Sequence, residues 1–347
     1  MKIALVGAGR RIRSHIIPAL VRSRGVEIAA VFGTRPRDIA VGGIDWTIND
    51  FNEADVQTFE HMNAIVVCVP QAAIRQVLEK LLKIGCHDKR IFVDTPVLAM
   101  KNVLSYSILK KFKKMSVLED WLSLPTFQLV SGIISSGRVG KIRRIYFSHS
   151  GYRHHAVSII RYWTGTQCIK KGRFLNHSQH VKEFILRDDT GVTTTIIEPR
   201  EYIGGQFLIV GEEGSIANYP LPATNHYWIE TARDQETLSV STAKGSDANM
   251  RSASADGSGE LIKIDLKLDS ELSGLTEMDI MKIYGLVHIF EHHDEEENGS
   301  ISNYRPLDAI YDRLVVDVLT RLGRVYDFPF LDTSGLKALV KFFSLIR

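Results

Sequence analysis

A pair of glycines close to the N-terminus constrains the fold more than any other feature of the sequence. Gly7 and Gly9 follow a short apolar run, Lys2–Val6, and precede residues 12–24, in which apolar side chains recur at helical spacing. A chain that turns sharply from a buried strand into a helix needs glycine at the turn, where the bare backbone can approach a pyrophosphate above the helix N-terminus. The pattern predicts a dinucleotide-binding strand–loop–helix unit.

The predicted loop departs from the usual G-x-G-x-x-G pattern at its third glycine. Ile12 occupies that position, so we expect the helix and the strand to pack less closely than in the usual unit. We expect the cofactor to contact the whole loop, which consists of Gly7, Ala8, Gly9, Arg10, Arg11 and Ile12.

The end of the second predicted strand, residues 27–32, indicates which nicotinamide cofactor is used. An acidic residue at this place would bind the ribose 2′-hydroxyl of NAD. The chain has Gly33, Thr34 and Arg35 instead, and the forked guanidinium of Arg35 suits a 2′-phosphate. The sequence favours NADP as the cofactor, with NAD also possible.

The alternation of elements predicts an α/β protein with two domains. Residues 1–123 alternate strand and helix patterns, as in a Rossmann domain with a doubly wound parallel sheet. Residues 124–347 carry short β-rich runs and turn signals, which predict an α+β domain with a large, mostly antiparallel open sheet. We expect a polar loop over 241–259 and two closing helices, over 310–322 and 336–343.

Charge and composition exclude several classes of partner. The 43 basic and 40 acidic residues leave a net charge of +3, so no broad basic surface indicates nucleic acid, and no apolar run reaches the length of a membrane span. The run 291–297 has no regular ligand spacing and predicts a solvated loop rather than a metal site. Three widely spaced cysteines and a start that passes directly into a strand predict a cytoplasmic protein.

Short motifs resemble one enzyme family along nearly the whole chain. They are Gly7-Ala8-Gly9-Arg10, Val67-Cys68-Val69-Pro70-Gln71, Phe92-Val93-Asp94-Thr95-Pro96-Val97-Leu98-Ala99, Ser136-Gly137-Arg138-Val139-Gly140-Lys141-Ile142 and Ile209-Val210-Gly211-Glu212-Glu213-Gly214-Ser215. In order and spacing they resemble the glucose–fructose oxidoreductase, inositol dehydrogenase and rhizopine-catabolism (Gfo/Idh/MocA) family. That resemblance implies NAD(P)-dependent chemistry on sugars, inositols and related compounds, and a sheet that often forms homodimers or homotetramers.

The resemblance also implies a set of site residues. Val69, Pro70, Thr95 and Pro96 match positions beside the nicotinamide. Thr95 stands where the family has its lysine, Asp94 where it has the acidic neighbour, and Ser158 where it has an aspartate. The family's histidine falls on His155, so the catalytic candidates are His155, Asp94 and Thr95. The candidates for substrate binding, to a polyol or an anionic substituent, are Trp121, Tyr152, Arg153 and His154.

Three functions are compatible with these residues. The first is an NADP-dependent oxidoreductase that transfers hydride to or from a sugar-like or other small polar substrate. The second is a reductase of imines or conjugated bonds, for which the missing lysine would be dispensable. The third is a catalytically inactive NADP-binding protein that acts as a sensor or assembly partner. Turnover on imines alone favours the second, and tight cofactor binding without turnover favours the third.

Overall fold

The computed structural model describes residues 1–98, 100–201, 204–221, 225–245, 262–293 and 304–326, with only the backbone of 100–105. The chain divides into two compact units. The described residues of the first lie within 1–123 and 282–311, and those of the second lie within 124–281 and 312–326. We propose a domain boundary at residue 123. Residues 282–311 come later in the chain but belong to the first compact unit.

The first unit contains a mostly parallel sheet, as the alternation of strand and helix patterns predicts. Its strands are β1 (Lys2–Val6), β2 (Glu27–Gly33), β3 (Arg37–Val41), β4 (Ile44–Asp50), β5 (Ala64–Val67), β6 (Arg90–Asp94) and β7 (Lys114–Leu118). They lie in the order β3-β4-β2-β1-β5-β6-β7, and β3 alone among the described strands of this sheet pairs antiparallel. The chain leaves β1 for β2 on one side and returns to β5 on the other, so β1 and β5 form the topological switch point at which α/β sheets bind ligands.

The hairpin β3–β4 was not anticipated from the sequence. Its turn is Gly42-Gly43, and both glycines have positive φ, +62° and +72°. Two such residues form the tight turn whose twist matches that of antiparallel strands. The Gly-Gly pair was the available signal, but the flanking strands carry many exposed polar residues and do not alternate cleanly.

The helix after β1 begins with an irregular turn. A π-helical segment over Ile12–Ile16 runs directly into α1 (Ile17–Arg22). Pro18 lies in the first turn of α1 and has no N–H to donate, which favours a wider turn before it. Ile12 is fully buried at this widened turn, so the space that the usual third glycine leaves is filled by an isoleucine side chain.

Four described helical segments lie between β4 and β7. They are α2 (Val56–Phe59), α3 (Gln71–Lys83) and the 3₁₀ segments Cys86–Asp88 and Met100–Lys111. In α3, Ile74, Val77, Leu78 and Leu81 form one buried stripe, which is the apolar face that the helical spacing predicts.

The second unit contains the large, mostly antiparallel sheet predicted for it. Its strands are β8 (Ile142–Ser148), β9 (Ile169–Asn176), β10 (Lys182–Asp188), β11 (Thr193–Glu198), β12 (Gln206–Gly211), β13 (Ser215–Ala217), β14 (His226–Arg233), β15 (Thr237–Lys244), β16 (Lys263–Lys267) and β17 (Arg324–Tyr326). Their order is β16-β15-β14-β13-β12-β8-β11-β10-β9-β17. Of the described neighbours, β8–β11 and β13–β14 pair parallel and the others pair antiparallel.

The helices of the later chain are α4 (Pro125–Ser135), α5 (Arg153–Thr164), α6 (Glu277–Glu291) and α7 (Pro306–Leu322). The sequence did not predict α6, because its apolar residues do not form a single stripe. Ile280, Met281, Ile283 and Ile289 point to different sides of the helix and are all at most 6% exposed, and a helix buried on several sides has no amphipathic period to detect. No helix within the described ranges combines the length and the apolar character that a membrane crossing requires.

Three predicted segments lie partly or wholly outside the described residues. The second closing helix, over 336–343, lies entirely outside them, as does most of the polar loop predicted over 241–259. The run 291–297 is described only up to residue 293. The predicted solvated loop is wrong for Glu291, which ends α6 and accepts a hydrogen bond from the backbone N–H of Arg24 at 2.8 Å.

Candidate functional site

The glycine loop has the backbone geometry that its sequence predicts. Gly7 has φ +126°, and its N–H donates to the Phe32 carbonyl oxygen at 2.8 Å. A Cβ atom on Gly7 would overlap the backbone carbonyl of Cys68, which follows β5. The tight turn and the close approach of two neighbouring strands therefore both require glycine at this position.

The next glycine of the loop faces open space. A Cβ atom on Gly9 would meet no atom within 4 Å, and the first helical turn beyond it contains no acidic residue. Arg10 and Arg11 stand at this helix start, where the helix dipole also favours an anion. The loop therefore fits the pyrophosphate of a dinucleotide, with bare backbone and positive charge at the switch point.

One arginine of the loop joins the ends of two other strands. Arg11 lies 2.9 Å from Asp120, just after β7, and 3.7 Å from Asp94, the last residue of β6. Burial alone would lower the pKa of Arg11, but the two carboxylates raise it above its usual range. The guanidinium therefore stays charged and fixes the loop against the carboxyl edge of the sheet. We call Arg11, Asp94 and Asp120 the Arg11 cluster.

A cysteine completes the surroundings of Asp94. The Cys68 thiol donates to Asp94 Oδ2 at 3.2 Å. Burial raises the pKa of Cys68 above its ordinary range, and the charge of Asp94 raises it further. The thiol is therefore protonated and acts as a hydrogen-bond donor rather than as a nucleophile. The sequence did not predict the contacts of Cys68 with Asp94 or of Asp120 with Arg11, because only the pairing of β5, β6 and β7 brings these residues to one edge.

The residues expected beside the nicotinamide follow the same two strands. Val69 and Pro70 come directly after β5, and Thr95 and Pro96 come directly after β6. Because Val67 pairs with Val93 in the parallel sheet, the two short segments lie at one edge. Val69, Thr95 and Pro96 are half-buried and Pro70 is exposed. Thr95 offers a hydroxyl where the resembling family has an ammonium group.

The end of β2 carries no carboxylate of its own, but a carboxylate of β4 lies beside it. Thr34 and Arg35 are exposed after β2. Gly33 pairs with Asp50 of β4, and its carbonyl oxygen accepts a hydrogen bond from Phe51 at 2.8 Å. Asp50 thus stands beside the position where an NAD-binding acidic residue is expected, although it lies seventeen residues further along the chain.

In the second unit, the other predicted site residues gather at the start of α5. His154 is 5% exposed and His155 is half-buried, and their rings lie 4.1 Å apart between centroids. Tyr152 stacks on His155 at 6.5 Å. Arg153 has φ +46°, a left-handed conformation that glycine adopts most easily.

The charge states around α5 follow from burial. Burial lowers the pKa of His154 well below its ordinary value, and the charges of His155 and Arg313 lower it further. His154 is therefore a neutral imidazole at neutral pH. Burial also raises the pKa of the Glu198 carboxyl group. The Arg153 N–H donates to Glu198 Oε1 at 2.7 Å and opposes that shift.

Two predicted positions have mainly packing roles in the structure. Trp121 is 3% exposed, so its ring belongs to the interior. Ser158, where the family has an aspartate, is 2% exposed and donates its hydroxyl to the backbone carbonyl of His155 at 2.8 Å. The hydroxyl is thus used by the helix backbone.

Comparisons with known proteins agree with this architecture. Residues 1–115 match the model of the oxidoreductase family with an NAD-binding Rossmann fold, GFO_IDH_MocA. No curated protein matches the chain in sequence.

Solved structures extend the likeness over both units. A putative myo-inositol dehydrogenase from Sinorhizobium meliloti is similar with a TM-score of 0.60 at 15% identity, covering 94% of this chain and 99% of the other. The scyllo-inositol dehydrogenase from Lactobacillus casei with bound NAD(H) and scyllo-inositol has a TM-score of 0.58 at 12% identity, covering 94% and 98%. An oxidoreductase from Agrobacterium radiobacter in complex with NAD+, L-tartaric acid and magnesium has a TM-score of 0.62 at 13% identity, covering 94% and 98%.

At these low sequence identities the solved structures show the shared fold alone. Residues 1–115 of the chain are similar to the NAD-binding Rossmann part of the Gfo/Idh/MocA family of oxidoreductases.

Proposed function

We propose that the protein transfers hydride between a nicotinamide dinucleotide and a small polar substrate such as a polyol or sugar. The observation that carries the proposal is the glycine loop, which presents bare backbone at Gly9 to open space at the switch point of the parallel sheet, next to Arg10. Gly7 and Gly9 would hold the pyrophosphate, and Val69, Pro70, Thr95 and Pro96 would line the nicotinamide. When bound, the dinucleotide supplies or accepts the hydride.

The proton that accompanies the hydride needs a group of its own. We propose His155 for this role, because it is half-buried at the start of α5 and an imidazole can both accept and donate a proton. Thr95 orients the reacting oxygen through its hydroxyl but cannot exchange protons near neutral pH. Asp94 is held by Arg11 and Cys68, so its role is to fix the edge that carries Thr95.

The test compares the parent protein with His155→Ala and Thr95→Lys on polyols, sugar nucleotides and cyclic imines. General acid–base catalysis accelerates a reaction by about 10²–10⁴. We therefore expect His155→Ala to lower kcat at least a hundredfold. Because the parent lacks the family's lysine, we expect slow oxidation of neutral polyols, and a gain in that rate with Thr95→Lys.

Several outcomes would contradict this assignment. Efficient oxidation of inositol by both the parent and His155→Ala would remove His155 from the mechanism. Turnover with imines alone would replace polyol chemistry by imine reduction. Tight dinucleotide binding without turnover on any substrate would make the protein a sensor or assembly partner.

We propose a preference for NADP(H) over NAD(H). Arg35 is exposed directly after β2, where a 2′-phosphate would lie. Calorimetric titration is expected to show at least tenfold tighter binding of NADPH, and Arg35→Ala should remove most of the difference. Asp50 is the competing group, since its carboxylate would repel a 2′-phosphate and accept from a 2′-hydroxyl. Equal affinities in the parent would contradict the preference. Tighter binding of NADH than of NADPH, lost in Asp50→Asn, would reverse it.

We also propose that the protein forms a homodimer or homotetramer through the open face of the large sheet. One face of this sheet is buried in the core, where Phe147 and Phe207 are at most 3% exposed. On the other face, a row across neighbouring strands is half-buried and largely apolar: Leu208, Tyr146, Thr195 and Ile185. Light scattering should report a dimer or tetramer for the parent and smaller species for Tyr146→Glu. A monomeric parent at micromolar concentration would refute the proposal.

A reducing compartment such as the cytoplasm is the proposed location. Cys68, Cys86 and Cys168 are free thiols, and Cys86 and Cys168 are buried. Free buried cysteines are typical of proteins that never meet an oxidising compartment.

A further inference from the structure

The start of α5 stores backbone strain at an arginine. Arg153 has φ +46°, and His149 a few residues before it has φ +59°. Left-handed backbone is unfavourable for residues with a Cβ, and such strain in native proteins concentrates at functional sites. A glycine at position 153 would relieve this backbone strain. The arginine side chain therefore contributes something that glycine cannot.

Within the described part of the chain, the side chain of Arg153 has only a distant ion-pair partner. Its Nε lies 3.9 Å from Glu198 Oε2, and the side chain remains 39% exposed. Its guanidinium carbon lies 5.0 Å from the centre of the Tyr152 ring, and that of Arg200 lies 4.8 Å from the same centre. Two guanidinium groups are thus brought to one aromatic ring at the helix start.

The neighbouring histidine has unmet hydrogen-bonding capacity. His154 is 5% exposed, and among the described residues neither Nδ1 nor Nε2 has a hydrogen-bond partner. A buried polar group without a partner is costly, and native proteins rarely keep one. The neutral imidazole therefore has a donor and an acceptor available to a ligand at the start of α5.

Three guanidinium groups lie close enough to His154 to lower its pKa. Arg153, Arg200 and Arg313 all act on its imidazole. Of these, Arg313 is held by Asp317 at 3.0 Å, and Glu198 is the buried carboxylate facing Arg153. Guanidinium groups with planar N–H donors bind oxyanions in preference to neutral hydroxyls.

We propose that Arg153, Arg200 and His154 bind an oxyanion, a carboxylate or a phosphate, carried by the substrate. The inference rests on the proposed function and narrows its substrate class to acidic polyols and sugars. Arg153 and Arg200 contact the oxygen atoms, His154 donates one further hydrogen bond, and Tyr152 holds the two guanidinium groups in place. The left-handed backbone at Arg153 is retained because the site needs its side chain.

The experiment measures binding to the protein without dinucleotide, by calorimetry, with four probes of similar hydroxyl pattern. Gluconate and glucose 6-phosphate carry the two oxyanions, and glucose and myo-inositol are the neutral controls. We expect at least tenfold tighter binding of one or both anions than of either neutral compound. The stronger of the two anions identifies the oxyanion that the site takes.

The variants separate binding from folding. Arg153→Gly keeps the N–H that donates to Glu198 and relieves the backbone, so its thermal midpoint should equal or exceed that of the parent while anion affinity falls at least tenfold. Arg200→Gln should lower the affinity similarly. The matched control is Arg143→Gln, which removes an exposed guanidinium paired with Glu212 on β8 and should leave anion binding unchanged.

The proposal is overturned if neither anion binds at millimolar concentration, if the anions bind no better than glucose, or if Arg153→Gly and Arg200→Gln bind them as the parent does. These results are distinguishable from a failure of the proposed function. Turnover of neutral polyols with NAD(P) and no anion preference would keep the function and remove this site. Anion binding without any dinucleotide binding would keep this site and remove the proposed function.

Discussion

Gly7→Ala is expected to abolish dinucleotide binding and to destabilise the first unit by more than about 3 kcal/mol, within the range of severe point mutations. Two costs combine at this residue. The backbone has φ +126°, where residues with a Cβ are strained, and the added methyl group would overlap the Cys68 carbonyl. Because backbone atoms at the ends of β1 and β5 cannot move apart without breaking the sheet, the loop must deform. Calorimetry with NADPH and denaturant unfolding measure the two effects.

Gly25→Ala is the matched control. Gly25 also has positive φ, +70°, but a Cβ atom there would meet no atom within 4 Å. The substitution should cost only about 1 kcal/mol from the left-handed backbone and leave dinucleotide affinity unchanged. Similar losses in the two variants would mean that backbone conformation, and not the approach of β5, makes Gly7 necessary.

Arg11→Met is expected to destabilise the protein by about 3 kcal/mol and to weaken dinucleotide binding at least tenfold. Removing the guanidinium leaves Asp94 and Asp120 facing each other without their shared cation, and breaking a buried pair in this way costs about 3–5 kcal/mol. The lower end applies because the Arg11 side chain is 25% exposed. Without its ion pairs to Asp94 and Asp120, the glycine loop is no longer held in one position. Its backbone then fits the pyrophosphate less well.

The cause can be separated from simple loss of packing. Adding Asp120→Asn to Arg11→Met removes one of the two like charges and should recover more than half of the lost stability, a coupling that a double-mutant cycle measures. Arg24→Met is the control, because Arg24 is 89% exposed where it pairs with Glu291 and exposed pairs contribute little. No recovery in the double variant would mean that Arg11 acts through its aliphatic stem.

The first half of the site could be predicted from the sequence because its signals are local. Gly7 and Gly9 lie between a buried strand and an amphipathic helix, and that arrangement alone indicated the dinucleotide loop. The strand ends at Val69 and Asp94 could be placed because parallel strands finish at one edge of the sheet. Their partners could not, since Cys68, Asp94 and Asp120 meet only through the lateral order of β5, β6 and β7.

The sequence by itself determined the fold class, the position of the cofactor loop and the segment that begins α5, because periodicity and turn chemistry act over a few residues. Only the tertiary structure decided which charges face one another. It brought Arg11 to two carboxylates, set Asp50 beside Gly33, and gathered Arg153 and Arg200 around one tyrosine. These pairs are separated by seventeen to more than a hundred residues, and no local pattern encodes them. Sheet order and burial, which depend on the whole chain, therefore set the electrostatics of the site.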